Sequence, residues 1–243
     1  MQLKKIARRA ADAVGYVAFP KYLDANRPMA ERLRILFRKH GIERIIDVGA
    51  NKGQFHDFIR HDVESDLPVH SFEPDPDLVA VLHEKHRGQA GAWTITQCAL
   101  GAETTTGTFH RMALDVYNSF LMPIADAEHP RNAVSATFEV VVKRLDDLLP
   151  ELGDLSRTFI KIDTQGWDLE VLKGGPEAFV QVPMVQTELS FRPIYQGCPT
   201  WIQSVEAFQA AGFGVSDIFM VRYDDLSEAV EGDAILTKSS LGQ

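Results

Sequence analysis

Apolar residues fall in two alternating patterns along this chain. Short runs such as Arg44–Val48, Val69–Phe72, Trp93–Cys98, Thr158–Ile162 and Met184–Leu189 have the length and β-branched content of strands buried on both faces. Between them, apolar residues recur at helical spacing over 29–40, 53–60, 77–86, Trp167–Leu172 and 200–211, and Gly41, Gly174-Gly175 and Gly212 close three of these. This alternation predicts an α/β fold, a parallel sheet with helices on both faces. Two further strands are expected near 214–220 and 233–237. After Gly101 the rhythm changes: Thr104–Arg111 and Thr137–Lys143 read as β segments. Residues 112–136 between them have no period and hold Asn118, Pro123, Pro130 and Asn132, the marks of a lid, a binding loop or a disordered segment.

Residues 1–19 carry Leu3, Ile6, Ala7, Ala10, Val14 and Val17 at helical spacing, with Lys4, Lys5, Arg8 and Arg9 among them. One reading is a membrane-surface helix giving peripheral contact at the inner face of the membrane. The other is a helix packed on the domain, and it is favoured. The organisation expected is an N-terminal helical extension over 1–41 and one domain over 42–243, with 112–136 as its substrate loop.

Composition narrows the function. The 243 residues are 45% hydrophobic, enough for one sizeable core. A net charge of −9 argues against nucleic acid as a main partner. No window is apolar for the ~18 residues of a membrane span, and no secretory leader is read at the start. Cys98 and Cys198 form no redox or metal motif, which fits a reducing cytoplasm. Histidines 56, 61, 83 and 86 fall on helices and are expected to be solvated; no metal site is assigned to them.

The run Ile45-Ile46-Asp47-Val48-Gly49-Ala50-Asn51-Lys52-Gly53 carries most of the functional signal. It is a strand, a glycine turn and the start of a helix, the unit that holds nucleotide-like ligands at the carboxyl edge of doubly wound sheets. Asp47 adds a carboxylate for a cationic ligand. Glu73 ends the second strand, placed to take both ribose hydroxyls, and Pro74 keeps its backbone extended. Gly-x-Gly-x-x-Gly is absent and Gly53 is followed by Gln54, so dinucleotide and phosphate patterns are both missing. S-adenosylmethionine, with a ribose but no phosphate, is the common ligand that remains.

Two more acids, Asp163 and Glu188, end later strands at the same edge. They are the expected catalytic pair, one as base and one orienting the nucleophile. A variant in which they hold Mg²⁺ is the less favoured reading. Trp167 and Trp201 are expected in the core or at a rim.

On these residues the chain resembles the FkbM family of S-adenosylmethionine-dependent O-methyltransferases. The resemblance runs over about 42–237. It rests on Asp47–Gly53, Phe72–Pro76, Ala99–Gly101, Leu145–Leu148, Lys161–Gly166 with Leu169–Gly174, and Gln186–Ser190. It implies a Rossmann-like class I methyltransferase fold, with a seven-stranded, mostly parallel sheet whose last strand is antiparallel. It also implies that Asp47, Gly49, Ala50, Asn51, Gly53, Gln54, Glu73 and Pro74 hold the cofactor and that Ala99 and Leu100 cover its adenine. Asn118, Ser119 and Gln165 become the substrate contacts. Gln165 and Asp168 stand where many members have Glu, so residue 165 cannot be a base here, and Asn118-Ser119-Phe120 replaces a commoner Ser-Ser-Leu.

Members act largely on hydroxyls of sugars and polyketides. The length and basic N-terminal segment are similar to the rhizobial group that 2-O-methylates the fucosyl residue of a lipochitooligosaccharide nodulation factor. A small-molecule or glycolipid sugar is the acceptor implied. The rival readings are a catalytically silent cofactor-binding module and a nicotinamide-dependent oxidoreductase.

Overall fold

The computed structural model describes residues 26–87, 92–124, 133–224 and 226–238. The expected helix at 1–19 lies outside them. Ten strands follow in chain order: β1 Arg44–Val48, β2 Val69–Phe72, β3 Trp93–Thr96, β4 Ala99–Leu100, β5 Thr105–Met112, β6 Val134–Lys143, β7 Thr158–Ile162, β8 Met184–Ser190, β9 Phe213–Tyr223 and β10 Ala229–Lys238. The helices are α1 Asn26–His40, α2 Gln54–His61, α3 Pro76–His86, α4 Leu149–Leu152, α5 Asp168–Lys173, α6 Pro176–Gln181 and α7 Trp201–Ala210.

Seven strands form one sheet in the order β3-β2-β1-β7-β8-β10-β9. β3, β2, β1, β7 and β8 are parallel, and β10 runs antiparallel to both β8 and β9. This is the seven-stranded, mostly parallel sheet expected. Because side chains alternate along each strand, it buries two cores. On one face Ile45, Phe159 and Met184 pack under α1, α2 and α3, through Leu33, Ile59 and Leu82. On the other, Ile46, Ile160 and Val185 pack under α5, α6 and α7, through Val171, Phe179 and Phe208. Local chemistry sets the helix ends. Asp75 caps α3 by accepting from Asp77 N at 2.9 Å, with Pro76 in the first turn. Thr200 and Gln203 form a capping box on α7.

Several expectations are corrected. Residues 26–40 pack on the domain: Leu33 and Leu36 of α1 are buried against the sheet, and Arg32 pairs with Asp217 at 2.5 Å. The strand expected over 93–98 ends at Thr96, and Ala99–Leu100 joins a second sheet in the order β4-β6-β5. β5 and β6 extend into the expected loop, reaching Met112 and starting at Val134. Its described part holds a 3₁₀ turn, Asp115–Tyr117, and pairs Ser119 with His110. α6 was hidden behind the glycine pair that ends α5.

His56 is not solvated. It has no exposed surface and stacks on Trp93 at 3.8 Å, and neither ring nitrogen has a partner. Trp93 comes from β3, a neighbour that local spacing does not reveal. Burial, aided by Arg60 and Lys85 and opposed by Asp57, pushes the imidazole from 6.5 down to about 4. The folded chain therefore binds this proton less readily than the unfolded chain. Stability held above the unfolded value is lost as pH falls from 6.5 towards about 4. The loss is expected to reach at most about 3 kcal/mol. Urea unfolding across that range should show a shallower acid limb in His56→Phe; an unchanged limb would refute it.

Candidate functional site

A cavity of about 390 Å³ opens at the carboxyl edge of β1, β2 and β7. Gly49, Ala50, Asn51, Gln54, Glu73, Pro74, Ala99, Leu100, Asn118, Asp163 and Gln165 all border it. These eleven expected site residues therefore share one cavity.

The turn after β1 has no room for side chains. A Cβ on Gly49, at φ +81°, would lie 2.0 Å from the Asp163 carbonyl oxygen, so glycine lets the tips of β1 and β7 touch. Asn51 also takes a positive φ, at 47°. Its backbone N–H donates to Glu73 Oε2 at 2.7 Å, while Glu73 Oε1 accepts from Asp75 N at 2.9 Å. Glu73 is thus fixed at the tip of β2. Burial is the main force on it, raising its carboxyl to about 7 against the pull of these two N–H groups. Phe72, Pro74, Cys98, Ala99, Leu100, Phe109, Phe120 and Trp167 give this end of the cavity apolar walls.

Lys161 stands beneath the other end. Its ammonium lies 3.3 Å from Asp47 Oδ1, 3.3 Å from Asp163 Oδ2 and 3.3 Å from the Gly49 carbonyl oxygen. Burial opposes its charge, but Asp163 and Asp47 outweigh that and hold it above the ordinary lysine range. Asp47 accepts from Ser71 Oγ at 3.1 Å, and Ser71 accepts from Trp93 Nε1 at 3.0 Å.

Four expected site residues do not border the cavity. Asp47 is fully buried and committed to Lys161 and Ser71. Gly53 turns the chain at φ +77°, and a Cβ there would meet the Trp93 ring at 2.9 Å, so its role is packing. Ser119 is buried, donating to the Gln165 carbonyl oxygen at 2.8 Å and accepting from Leu121 N. Glu188 lies behind Gln165 in a separate small cavity with Asp168, Tyr195 and Glu231.

Gln165 is the partition. It sits at φ 53°, and its Nε2 donates to Asp163 Oδ1 at 3.0 Å and to Glu188 Oε2 at 3.2 Å. The Tyr195 hydroxyl lies 3.0 Å from Gln165 Oε1 and 2.9 Å from the Tyr117 carbonyl oxygen, so it bridges the partition and the loop. Burial, then repulsion by Asp163, Glu231, Asp168 and Asp233, raises Glu188 well above the usual carboxylate range. Among the described residues no three His, Cys, Asp or Glu side chains converge as a metal site.

Sequence reasoning missed Lys161, Gln186 and Asp233, all on the cavity wall, and Met29 and Phe58, which close it from α1 and α2. For Lys161 a signal existed, since it is a lone charged residue inside an apolar strand run. Trp167 borders the cavity rather than lying only in the core.

The described residues include no helix long and apolar enough to cross a membrane. The chain is similar to the 2-O-methyltransferase NoeI of Sinorhizobium fredii, with 26% identity over 162 residues. That alignment covers 63% of this chain and 65% of the relative, so the chain spans just under two thirds of the relative's length. Similar solved structures include a magnesium protoporphyrin IX methyltransferase from Synechocystis with bound SAM, at 8% identity and TM-score 0.48, covering 97% of each chain. Another is a precorrin-6y C5,15-methyltransferase from Geobacter metallireducens, at 11% identity and TM-score 0.45, covering 86% of this chain and 88% of that one. The profile of the methyltransferase FkbM domain matches residues 47–215, and the chain belongs to the FkbM methyltransferase family.

Proposed function

We propose that the chain is an S-adenosylmethionine-dependent O-methyltransferase acting on a sugar hydroxyl. The observation that carries this is one cavity with two unlike ends: a fixed carboxylate among apolar walls, and a floor of carboxylates. The first end fits adenosine. Glu73 retains lone pairs for both ribose hydroxyls, and Phe72, Ala99, Leu100 and Phe109 supply flat apolar surface for a base. Gly49 and Ala50 leave space for the amino-acid end to cross the β1 tip.

The bound cofactor would supply an activated methyl group on a good leaving group. What remains for the chain is alignment and proton removal. Of the two acids expected to share that work, Asp163 reaches the cavity and Glu188 acts through Gln165. Asp163 accepts an acceptor hydroxyl and fixes its direction. Lys161 holds Asp163 in place, and Gln165 separates it from Glu188. The similarity to NoeI favours position 2 of a sugar. The fucosyl residue of a lipochitooligosaccharide nodulation factor is the specific acceptor proposed.

Titration calorimetry with S-adenosylhomocysteine, followed by mass spectrometry of fucosylated oligosaccharides incubated with S-adenosylmethionine, tests the reading. Binding and a gain of one methyl group per sugar are expected. Thermal protection by a nicotinamide cofactor, with none from S-adenosylhomocysteine, would sink it.

Glu73 should give cofactor affinity a pH dependence. The carboxylate is the form that accepts two hydroxyls, so affinity is expected to fall as pH drops through about 7. The slope should approach tenfold per unit, about 1.4 kcal/mol. Glu73→Gln should abolish the slope; a variant that keeps it would exclude Glu73.

Asp163→Asn is expected to cut kcat by about 100-fold. S-adenosylhomocysteine affinity should stay within about threefold, a change under 1 kcal/mol. Near-normal turnover in this variant would remove Asp163 from the reaction.

A further inference from the structure

Gln186 of β8 is buried, borders the cavity and leaves its Oε1 without a hydrogen-bond partner. A buried carbonyl oxygen without a donor is costly, so the position suits a ligand that donates. Asp233 of β10 borders the same cavity. Strand register puts both on the sheet face that carries Lys161: Lys161 pairs with Gln186, and Glu188 with Asp233.

This corner is rich in acceptors. Asp163 already takes Gln165 on one oxygen and Lys161 on the other. Lys161 is itself surrounded by Asp47, Asp163 and the Gly49 carbonyl. Among the described residues Lys161 is the cation of this corner, and Asp47 and Asp163 already hold it. Position excludes the adenosine end as the missing donor. Glu73 follows β2, and β2 lies three strand spacings from β8, which carries Gln186, roughly 14 Å.

Resting on the methyltransfer reading above, we propose that Gln186 and Asp233 form the acceptor-hydroxyl subsite, with Asp233 as the catalytic base for an uncharged polyol. Gln186 Oε1 takes the hydrogen of a neighbouring hydroxyl and so holds the sugar, and Asp233 takes the reacting one. The O–H bond breaks and its proton passes to Asp233 Oδ. The oxygen pair forms the bond to the methyl carbon, and the carbon–sulfur pair leaves with sulfur. Phosphorylated and carboxylated sugars are rejected by Asp163 and Asp233 together. Burial, then repulsion by Asp163, raises Asp233 to about 7 against Lys161 and Gln186, within the range suited to a general base near neutrality.

The test needs no acceptor. Sinefungin carries an amine where the reactive methyl would be, and S-adenosylhomocysteine has nothing there. The wild type should bind sinefungin about tenfold more tightly, the scale of one charge-assisted hydrogen bond. Asp233→Asn, which is isosteric, and Gln186→Met should each bring the two ligands within about twofold, with S-adenosylhomocysteine affinity unchanged. A preference that survives both substitutions overturns the subsite. So does a tenfold loss of S-adenosylhomocysteine affinity with the preference kept, because the pair would then hold the cofactor. Failure of the wild type to bind S-adenosylhomocysteine would instead overturn the methyltransfer reading itself.

Discussion

A lysine buried at the centre of the sheet organises this molecule. Taking an ammonium out of water costs several kcal/mol, repaid only by close opposite charge and good geometry. Lys161 meets two carboxylates and a carbonyl oxygen, each at 3.3 Å. Asp47 comes from β1, Asp163 from the end of β7 and the carbonyl from the glycine turn. One cation therefore ties the turn to the strand tip on which the acceptor chemistry is proposed to rest. Removing either carboxylate would leave the charge underpaid, so the cavity floor and the fold's stability share one interaction.

From Lys161 a polar row runs sideways across the sheet. Trp93, Ser71, Asp47, Lys161 and Gln186 come from five adjacent strands, β3, β2, β1, β7 and β8. Two residues before Ser71, Asp47, Lys161 and Gln186 stand Val69, Ile45, Phe159 and Met184, in the core under α1, α2 and α3. Such a row is costly unless every member finds a partner. Asp47 Oδ1 and Gln186 Oε1 are left without a hydrogen bond, and Asp47 Oδ1 lies 3.3 Å from the Lys161 ammonium. Of the two residues Gln186 borders the cavity, where a ligand would complete it.

Much of the fold was legible in the chain. The parallel strands β1, β2 and β7 are buried on both faces, so their apolar runs stand out and their limits matched. The glycine turn, Glu73 and Asp163 were legible because acids and glycines at the tips of such runs have few structural reasons to be there. Glu188 misled because tip position was read without the partition: Gln165, two residues past Asp163, stands between Glu188 and the cavity. Asp233 escaped notice because it lies in the middle of an antiparallel strand, and strand direction is a tertiary fact. His56 was misread for the same reason, since Trp93 is thirty-seven residues away. The second sheet was hidden because β4 contributes only two residues to it.

The strand order also divides the chain's labour. Everything proposed to touch adenosine lies between β1 and β6, whereas Lys161, Gln186 and Asp233 arise from β7 onward. The two groups meet at Gly49, where backbone contacts backbone and no side chain can vary. Apart from Lys161 and Asp163, which are tied to Asp47 and the glycine turn, changes in the later strands can therefore accumulate without disturbing the earlier half. Under selection, such a chain can trade one acceptor for another while its methyl donor stays the same.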